Sequence, residues 1–475
     1  MLLQHLYING QWREAKSYTT LLSPYSEETI AQVAIASEQE VEDAVEGAAE
    51  AFKVMRKMPA HERSCILAKV AELLEERKEE AAEQIAKEAA KPLKAAKAEV
   101  DRTIETYRFA AEEAKRIQSE TIPMDAATGG EGRIAYTVKE PVGGVGAITP
   151  FNFPMNLVAH KLGPAIAAGN TIVLKPAGQT PLSAYLIAEL FEKAGLPKGA
   201  LQVISGNGKM IGDKLVTDPR VKHITFTGSP KVGMGIREKA GLKGMTLELG
   251  SNAAVIIDKE PGDLEAIAER VTAGAYSYQG QVCISVQRVY VHEEIAEPFT
   301  KLLAEKVSKL RTGDPSDPNT DVSALITEED TQRVRDWIQE AKAEGAKVVI
   351  GGEVEGRVLK PTILTHVPLS AKVSCQEVFG PVMVVHSVNS VTEAIQLVND
   401  SMYGLQAGIF TQNINDAMKA ADTLEVGGVM INDIPTFRVD HMPYGGVKQS
   451  GFGREGIKYA LDAMTELKLV VINRN

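Results

Sequence analysis

One cysteine in a glycine-rich segment and one carboxylate in an apolar segment are the residues of this chain best suited to nucleophilic chemistry. Cys283 ends the segment Tyr278-Gln-Gly-Gln-Val-Cys283, at a point where a helix is expected to break. Glu248 lies 35 positions upstream, inside Thr246-Leu-Glu-Leu-Gly250, where a carboxylate is costly to bury without a partner or a function. A thiolate can attack a carbonyl carbon, and a carboxylate can serve as a base. A buried structural cysteine and a carboxylate in a salt bridge are the alternatives.

The chain has two other cysteines, Cys65 and Cys375, and neither has a comparable setting. Cys65 lies on a predicted amphipathic helix, which is typical of a buried structural cysteine. Cys375 adjoins the polar pair Gln376-Glu377, so the same interpretation applies less well to it. An odd and sparse set of cysteines argues against a disulfide scaffold and favours a reducing cytoplasm.

Two glycine-rich turns follow predicted strands and begin predicted helices, which is where phosphates are often bound. The first, Gly206-Asn-Gly208-Lys-Met-Ile-Gly212, is close to a dinucleotide fingerprint, but its third glycine comes one position late and no acidic residue ends the next strand. A simple tight turn is an equal alternative there. The second, Phe226-Thr-Gly228-Ser229-Pro-Lys-Val-Gly233, begins a helix whose free N–H groups suit a phosphate. Together the two turns favour a nucleotide.

These residues need a framework of parallel strands, and the sequence predicts one. Short β-rich runs alternate with helical stretches at 146–149, 171–174, 201–204 and 223–226, and the second half repeats this pattern. We expect ligands at the carboxyl ends of such strands. Upstream, Ser37-Glu-Gln-Glu40 is a capping box that begins a helix. The segment 126–133 predicts a turn in a protruding hairpin, and the apolar tail 467–472 predicts a strand with another subunit as its expected partner.

Composition limits the class of protein. The chain has 475 residues, of which 44% are hydrophobic and 24% charged, as in an ordinary globular protein of several domains. Its formal charge of −11 disfavours nucleic acid as a partner. No apolar run reaches the ~18–20 residues of a membrane span, and the first residues do not form a signal peptide. We predict no membrane partner and no metal site.

Seven stretches, taken in chain order, resemble the aldehyde dehydrogenase superfamily across nearly the whole length. They are Thr149-Pro-Phe-Asn152-Phe-Pro154, Leu174-Lys-Pro-Ala177, Phe226-Thr-Gly-Ser229, Leu247-Glu-Leu-Gly250, Gly280-Gln-Val-Cys283, Glu377-Val-Phe-Gly-Pro381 and Pro443-Tyr-Gly-Gly-Val-Lys-Gln-Ser-Gly451. The resemblance implies an α/β fold with two doubly wound parallel-sheet domains and a small β oligomerisation arm. It implies a Rossmann-like cofactor domain at 1–121 and 143–250, a catalytic domain at 251–445 and the arm at 122–142 and 460–475. A homodimer or homotetramer is then expected.

The resemblance also implies a covalent mechanism that oxidises an aldehyde to its acid. Cys283 adds to the aldehyde carbon, and the Asn152 side-chain amide and the Cys283 backbone N–H bind the oxyanion of the thiohemiacetal. Hydride then leaves for a nicotinamide and a thioester remains. Glu248 activates water to hydrolyse that thioester, and it is a candidate to take the thiol proton as well. A turn residue before Pro154 is the alternative role of Asn152.

The implied cofactor is NADP or NAD, with contacts at Lys175, Gly178, Gly208, Phe226, Gly228, Ser229, Gly233, Glu377 and Phe379. In this resemblance Lys175 reaches the adenosine ribose, Ser229 binds the pyrophosphate and Glu377 binds the nicotinamide ribose. Gly178 departs from NAD-preferring relatives, which often carry Glu there. Without that carboxylate a 2′-phosphate is neither repelled nor crowded, so NADP becomes acceptable while NAD stays possible.

Two arginines are the main pointers to the substrate. Arg102 resembles an anion-binding arginine of the non-phosphorylating, NADP-dependent glyceraldehyde-3-phosphate dehydrogenase branch, and Arg438 lies close to another; a guanidinium suits a phosphate or a carboxylate. That branch tends to have Arg before the cysteine and Tyr after the oxyanion Asn, where this chain has Val282 and Phe153. Phe153 is kept as a candidate substrate contact. Lactaldehyde dehydrogenases, which act on small hydroxyaldehydes, match equally well, and surface or structural arginines are the alternative.

Three other functions stay open. A CoA-acylating semialdehyde dehydrogenase shares the first half of the chemistry, although Glu248 favours water as the acceptor. A cysteine hydrolase needs no nicotinamide, but no histidine forms an obvious Cys–His motif. A binding protein on this fold has no need of Cys283, Asn152 and Glu248, all of which are present.

Overall fold

The first of two large sheets in the computed structural model, which describes residues 2–474, contains eight strands. Its five inner strands are parallel, and antiparallel strands cover both edges. In spatial order the strands are Gly451–Phe452, Gly244–Glu248, Val221–Thr227, Gly144–Ile148, Thr171–Lys175, Leu201–Val203, Leu6–Ile8 and Gln11–Arg13. Every residue of Thr171–Lys175 is buried, as expected where helices cover both faces of a parallel sheet.

The second large sheet has seven strands, and six of them are parallel. In spatial order they are Lys347–Ile350, Thr362–Thr365, Val382–Val388, Arg288–His292, Ala254–Ile257, Gln406–Phe410 and Gly428–Ile431. The antiparallel strand lies at the Lys347–Ile350 edge. The two doubly wound sheets of the predicted α/β fold are therefore both present.

Helices cover both faces of the first sheet. Ile172 and Leu174 pack in one hydrophobic cluster and Val173 in another, as the alternation of side chains along a strand requires. Ser37 and Glu40 form the predicted capping box. The helices of at least seven residues are Glu38–Met55, Ala60–Glu76, Lys78–Ala89, Leu93–Glu113, Asn156–Ala168, Leu182–Lys193, Gly208–Thr217, Pro230–Lys239, Leu264–Tyr276, Glu293–Ser308, Glu328–Ala343, Val391–Asn399, Ile414–Thr423 and Ile457–Ala463.

Cys65 is exposed, so the prediction of a buried structural cysteine is wrong. The residue lies on the helix Ala60–Glu76, as expected, but this helix buries Ser64, Ile66 and Leu67. Each helical residue is turned by about 100° from the one before it, so position 65 falls outside the buried stripe. The amphipathic pattern predicted the helix correctly and the side of this one residue incorrectly.

A third sheet, with the strands Thr121–Ile122, Arg133–Pro141 and Thr465–Asn473, is separate from the two large ones. The predicted turn at 126–133 lies between its first two strands. The C-terminal strand pairs antiparallel with Arg133–Pro141 of the same chain over nine residue pairs. The apolar tail therefore finds a partner within its own chain, whereas its sequence had favoured another subunit.

Smaller elements complete the fold. A three-stranded sheet contains Leu2–Gln4, Thr29–Ile35 and Ser17–Leu22, and two-stranded ladders join Val354–Glu355 to Val358–Leu359 and Tyr403–Gly404 to Val447–Lys448. Within residues 2–474, no helix combines the length and the apolarity that crossing a membrane requires.

Predicted site residues stand next to strand ends in both large sheets. Lys175 and Glu248 end strands of the first sheet, which is the carboxyl edge where ligands are expected. Cys283 and Glu377 instead come before the second-sheet strands Arg288–His292 and Val382–Val388. The second sheet therefore contributes its amino edge, and the expectation about carboxyl ends holds for the first sheet only.

Candidate active site

The loop that carries the predicted nucleophile has an unusual backbone conformation. The helix Leu264–Tyr276 ends just before it, and Tyr278 and Gln279 have φ of 46° and 55°, values that non-glycine residues rarely adopt. Gly280 follows with φ of 71°, and a Cβ there would stand 2.2 Å from the Gly380 carbonyl oxygen, so only glycine fits. Backbone of this kind concentrates at functional sites and needs its surroundings to hold it.

Buried hydrogen bonds from distant segments supply that support. The Gln279 side-chain amide donates to the carbonyl oxygens of Ala90 and Ala324, both at 2.9 Å. The Tyr278 hydroxyl donates to the Ala89 carbonyl oxygen at 2.9 Å. The loop is thereby fixed against the end of the helix Lys78–Ala89.

The Cys283 thiol is partly buried and contacts a phenol. Its Sγ lies 2.8 Å from the Tyr444 hydroxyl oxygen. Burial raises the pKa of Cys283 to about 11, although the Tyr444 hydrogen bond and the positive charge of Arg438 act in the opposite direction. Because the thiol is protonated at neutral pH, it needs a base before it can act as a nucleophile.

Asn152 lies beside the cysteine loop and is firmly held. Its side-chain amide donates to the Gln281 carbonyl oxygen at 3.0 Å. Lys91 Nζ donates to the Asn152 carbonyl oxygen at 2.6 Å and forms a buried ion pair with Glu99, which also accepts the Met155 backbone N–H at 2.9 Å. Sequence analysis did not single out Lys91 and Glu99; the available signal was Pro92, since a proline after Lys91 favours a break between helices there.

Glu248 is a buried carboxylate without hydrogen bonds. The residue is 3% exposed, and neither carboxylate oxygen has a partner among the described residues. Burial and the negative charge of Glu455 raise the pKa of Glu248 well above its usual range, and Arg438 opposes them. A carboxylate in this setting is suited to take up a proton, so the prediction of a base is consistent with its surroundings.

A buried chain of three charged residues acts on the pKa of Glu248. Sequence analysis named Arg438 but not the other two residues. Arg438 Nη2 lies 3.0 Å from one carboxylate oxygen of Glu455, and Lys161 Nζ lies 3.1 Å from the other. Although burial acts to raise it, the charges of Lys161 and Arg438 lower the pKa of Glu455 to about 2. The signal available in the sequence was Lys161 within a mostly apolar stretch. The structure buries every residue of the helix Asn156–Ala168 that contains it.

A cavity of about 200 Å³ opens on the thiol. It collects residues from both halves of the chain, including all the predicted substrate contacts, and its walls include Arg102, Phe153, Val282, Cys283, Arg438 and Tyr444. Cys65 and Cys375 do not line it. The structure therefore brings the two predicted arginines together with the predicted nucleophile.

The two arginines are held in different ways. Asp440 accepts hydrogen bonds from Nε and Nη2 of Arg102, at 3.1 and 2.7 Å, and it also binds His160. The Arg438 side chain is only 7% exposed, and its guanidinium stacks 3.7 Å above the Tyr444 ring. The Arg438 Nε is buried and has no hydrogen-bond partner among the described residues. Both arginines line the cavity wall, and the planar N–H groups of a guanidinium suit an anionic ligand.

Three of the predicted cofactor residues line a groove of about 600 Å³ along the first sheet. Lys175, Gly208 and Phe226 form its walls, together with Lys209, Lys231 and Lys239 and the apolar side chains of Ile148, Val216, Val232 and Ile236. A Cβ at Gly178 would meet nothing within 4 Å, so that position is open. Cations beside an apolar wall suit the phosphates and the adenine of a dinucleotide.

The helix Pro230–Lys239 begins at this groove, and close packing sets its position. Ser229 is the N-cap, but its side chain does not cap the helix, which leaves backbone N–H groups available for a phosphate. A Cβ at Gly228 would stand 2.5 Å from the Phe226 ring, and one at Gly233 would stand 2.4 Å from Leu249. Gly228 and Gly233 therefore let the helix approach the sheet closely.

The groove continues past Ser229 towards the second sheet, over a further cavity of about 510 Å³ with Gln376 and Tyr403 in its walls. Glu377 accepts the Ser251 backbone N–H at 2.8 Å, and burial raises the pKa of Glu377 to about 7. Phe379 has φ of 49° and packs edge-on against Phe151, with ring centroids 5.7 Å apart. Four of the nine residues expected to bind a nicotinamide dinucleotide line these two cavities, and the cations and apolar side chains of the walls suit that group.

The whole chain matches known proteins of one family. The family model described as the aldehyde dehydrogenase family matches residues 12–470. A 3-sulfolactaldehyde dehydrogenase from Priestia aryabhattai is 49% identical, with 98% of each chain covered. A lactaldehyde dehydrogenase from Methanococcus aeolicus is 41% identical, over 98% of this chain and 100% of that protein.

Solved structures agree with these relatives. The NADP-dependent glyceraldehyde-3-phosphate dehydrogenase from Bacillus halodurans C-125, complexed with NADP, is 39% identical, has a TM-score of 0.97 and is covered over 100% of both chains. The predicted resemblance and the aldehyde-dehydrogenase-like α/β fold are confirmed. The chain belongs to the aldehyde dehydrogenase family, whose members oxidise aldehydes with NADP or NAD.

Proposed function

We propose that this enzyme oxidises a short 2-hydroxyaldehyde with an anionic group at its far end to the carboxylic acid, with NADP or NAD as the oxidant. The observation that carries the proposal is the cavity of about 200 Å³ that holds Cys283 between Arg102 and Arg438. Its volume suits a molecule of a few carbon atoms, and its guanidinium groups suit a phosphate, a sulfonate or a carboxylate.

The residues around the thiol support a thioester mechanism. Glu248 takes the Cys283 proton, and the thiolate attacks the aldehyde carbon. The Asn152 side-chain amide and the Cys283 backbone N–H bind the oxyanion that forms. The nicotinamide, when bound, accepts the hydride that leaves this carbon. Glu248 releases the thiol proton to solvent before the second step. It then takes a proton from water as the water oxygen attacks the thioester carbon. The C–S bond breaks, the carboxylic acid leaves, and Glu248 returns its proton to the Cys283 sulfur.

The names of the relatives point to the same class of substrate. They are named for 3-sulfolactaldehyde, lactaldehyde and glyceraldehyde-3-phosphate, which are three-carbon aldehydes with a hydroxyl at C2. Two of the three carry an anion at C3. The two arginines in the cavity wall favour these two anionic aldehydes over lactaldehyde, because a charged hydrogen bond to a fixed guanidinium is stronger than a neutral one. Phe153 forms part of the wall of the same cavity.

The groove supports NADP at least as well as NAD. A Cβ at Gly178 would meet nothing within 4 Å, so a 2′-phosphate would not be crowded there, and Lys175 adds a cation to the wall of the groove. Lys209, in the first turn of the helix Gly208–Thr217, adds a second cation to the same groove. In this proposal Ser229 and the helix after Gly228 bind the pyrophosphate.

An assembly of subunits in the cytoplasm also belongs to this proposal. The C-terminal strand of the three-stranded sheet exposes large apolar side chains, with Leu467 63%, Leu469 55% and Val471 44% exposed. Burying these side chains between subunits would stabilise a homodimer or a homotetramer. Three unpaired cysteines suit a reducing compartment.

The test is a panel of aldehydes assayed with NADP and with NAD. The panel contains 3-sulfolactaldehyde, glyceraldehyde-3-phosphate, lactaldehyde and a long neutral aldehyde. We expect the two anionic aldehydes to give kcat/KM at least about tenfold above lactaldehyde, a difference of ~1.4 kcal/mol. Equal or better use of the long neutral aldehyde would contradict the proposal.

A CoA-acylating reaction is the second candidate, and the same assay separates it. Glu248 has no hydrogen-bond partner among the described residues, so its carboxylate is available to activate a water, which favours hydrolysis. We expect the free acid as the product whether or not CoA is present. Formation of an acyl-CoA in place of the free acid when CoA is present would favour the CoA-acylating reaction.

A further inference from the structure

The tyrosine of the motif Pro443-Tyr444-Gly445 contacts the reacting sulfur. The Tyr444 hydroxyl oxygen lies 2.8 Å from Cys283 Sγ, and the residue is 2% exposed. Its backbone N–H donates to the Glu455 carbonyl oxygen at 3.1 Å, and the Glu455 N–H donates to the Tyr444 carbonyl oxygen at 2.6 Å. Tyr444 is therefore held on both sides by the segment whose carboxylate also binds Arg438.

The hydroxyl of this tyrosine can act only as a donor towards an ionised thiol. Burial raises the pKa of Tyr444 well above 10, so the phenol keeps its proton throughout the working range of pH. A thiolate has no proton to give and accepts hydrogen bonds only. Hydrogen bonds to an ionised partner are stronger than those between neutral groups, so the contact favours the thiolate over the thiol.

A cation strengthens this donor. The guanidinium of Arg438 stacks 3.7 Å from the Tyr444 ring, and its charge also acts directly on the sulfur. Glu455 fixes Arg438 at 3.0 Å through Nη2. The stacked cation draws electron density from the ring and makes the O–H a better donor.

We propose that Tyr444 is a catalytic residue that stabilises the Cys283 thiolate by donating a hydrogen bond to its sulfur, with Arg438 stacked on the ring to strengthen that bond. The inference rests on the proposed function, in which Cys283 is the nucleophile. The thiol proton moves to Glu248, and Tyr444 keeps its own. As the S–C bond forms and the C=O π bond breaks, the negative charge moves to the oxygen held by Asn152, and the bond to sulfur weakens.

The variant Tyr444→Phe removes the hydroxyl and keeps the ring. Its test measures alkylation of Cys283 by iodoacetamide against pH, in the full-length enzyme without aldehyde, by mass spectrometry of the Cys283 peptide. We expect the inflection to rise by about one pH unit, so alkylation below the inflection slows about tenfold. An unchanged inflection would overturn the proposal. Exposed Cys65 in the same sample is the internal control and should not change.

Two further variants separate donation from packing. Tyr185→Phe also deletes a buried hydroxyl, which lies 2.7 Å from the Ser205 hydroxyl, and should leave the Cys283 inflection unchanged. A fluorinated tyrosine placed only at position 444 has a more acidic hydroxyl and keeps the shape of the ring. It should move the inflection down, opposite to Tyr444→Phe, and it serves if the Phe variant fails to fold. A fluorinated enzyme with the wild-type inflection would show that the hydroxyl only fills space.

Aldehyde turnover keeps this proposal distinct from the proposed function. If the wild-type enzyme oxidises no aldehyde but the Tyr444→Phe inflection rises, the proposed function fails and the role of Tyr444 on the thiol stands. If the wild-type enzyme oxidises anionic aldehydes and the inflection does not move, the role of Tyr444 fails alone.

Discussion

The groove proposed for the cofactor and the cavity proposed for the substrate are built in opposite ways. The walls of the groove along the first sheet come from consecutive strand–turn–helix units between Ile148 and Lys239. The cavity takes Arg102 from a helix, Phe153 from a loop and Arg438 from a segment near the end of the chain. The groove offers backbone N–H groups, glycines and lysines, whereas the cavity offers guanidinium groups fixed by buried carboxylates.

The difference teaches which kind of recognition each site performs. A groove of turns and helix ends binds what all dinucleotides share, and a few exposed side chains adjust it. The cavity depends on charges that are held at fixed positions, such as Arg102 by Asp440 at 2.7 Å. Changes in the cavity should therefore act on the chemistry and on the substrate, and changes in the groove should act on the choice of cofactor.

The largest effect expected is that of removing the nucleophile. Cys283→Ala should lower aldehyde oxidation by roughly four orders of magnitude or more, because no other group near the cavity can form the thioester. Cofactor affinity should stay close to wild type, since the groove contacts lie elsewhere. Steady-state turnover and cofactor titration measure the two properties separately.

Exposed Cys65 offers the matched control, because Cys65→Ala also removes a thiol but lies outside the cavity. That variant should keep full turnover. Retention of near wild-type turnover by Cys283→Ala would end the thioester mechanism, and a large loss of cofactor affinity would break the separation between groove and cavity.

Glu248→Gln should divide the reaction into its two halves. The thioester forms but is hydrolysed slowly, because Gln cannot take a proton from water, and the steady-state rate should fall by about 10²–10⁴-fold. A rapid-mixing trace should record a burst of about one reduced cofactor per subunit, followed by a slow phase. The burst itself should be slower than in the wild-type enzyme, because Glu248 also takes the Cys283 proton in the proposed mechanism. A burst at the wild-type rate would assign that step to another base.

Glu88→Gln is the control for this variant, since Glu88 is also buried but accepts the Leu182 backbone N–H at 2.9 Å and does not line the cavity. It should keep the steady-state rate per folded enzyme. Undiminished turnover in Glu248→Gln would remove the carboxylate from the mechanism.

The same comparison explains how much the sequence could predict. Elements of the groove were predictable because their causes are local: Ser229 begins a helix with Pro230 after it, and Gly228 and Gly233 lie where the helix meets the sheet. For the cavity, only the kinds of residue that line it were predictable, and not how they are held. Nothing local to Arg102 indicates that Asp440 will bind it, because the two are 338 positions apart.

Two errors of detail have the same origin. Lys91 and Tyr444 were not singled out, because a charge or a phenol acquires its role only from the neighbours that the fold supplies. The exposure of Cys65 was predicted wrongly because successive residues on a helix point in different directions. A residue next to buried ones can therefore face solvent. Sequence motifs thus determine backbone geometry well and networks of buried charges poorly.

Arg102 tests whether the cavity selects an anion. Arg102→Gln should raise KM for an anionic aldehyde by about 10–100-fold, the effect of losing a charged hydrogen bond worth ~1.5–3 kcal/mol. The KM for neutral lactaldehyde should change little. Arg108 lies on the same helix, Leu93–Glu113, but is exposed and paired with Glu75. The control variant Arg108→Gln should therefore change neither KM value. Equal losses for both aldehydes would assign Arg102 a structural role.

Gly178 offers the smallest and most selective change, because a Cβ there would meet nothing within 4 Å and the residue does not line the cavity at the thiol. Gly178→Glu should shift preference from NADP towards NAD, since the new carboxylate can accept hydrogen bonds from the ribose hydroxyls and repels a 2′-phosphate. A difference of ~1.4 kcal/mol changes the ratio of the two kcat/KM values about tenfold. Gly178→Gln has nearly the same size without the charge, so it should shift the ratio much less. An equal shift in both variants would attribute the preference to bulk, and an unchanged ratio would assign it to the groove lysines Lys175 and Lys209.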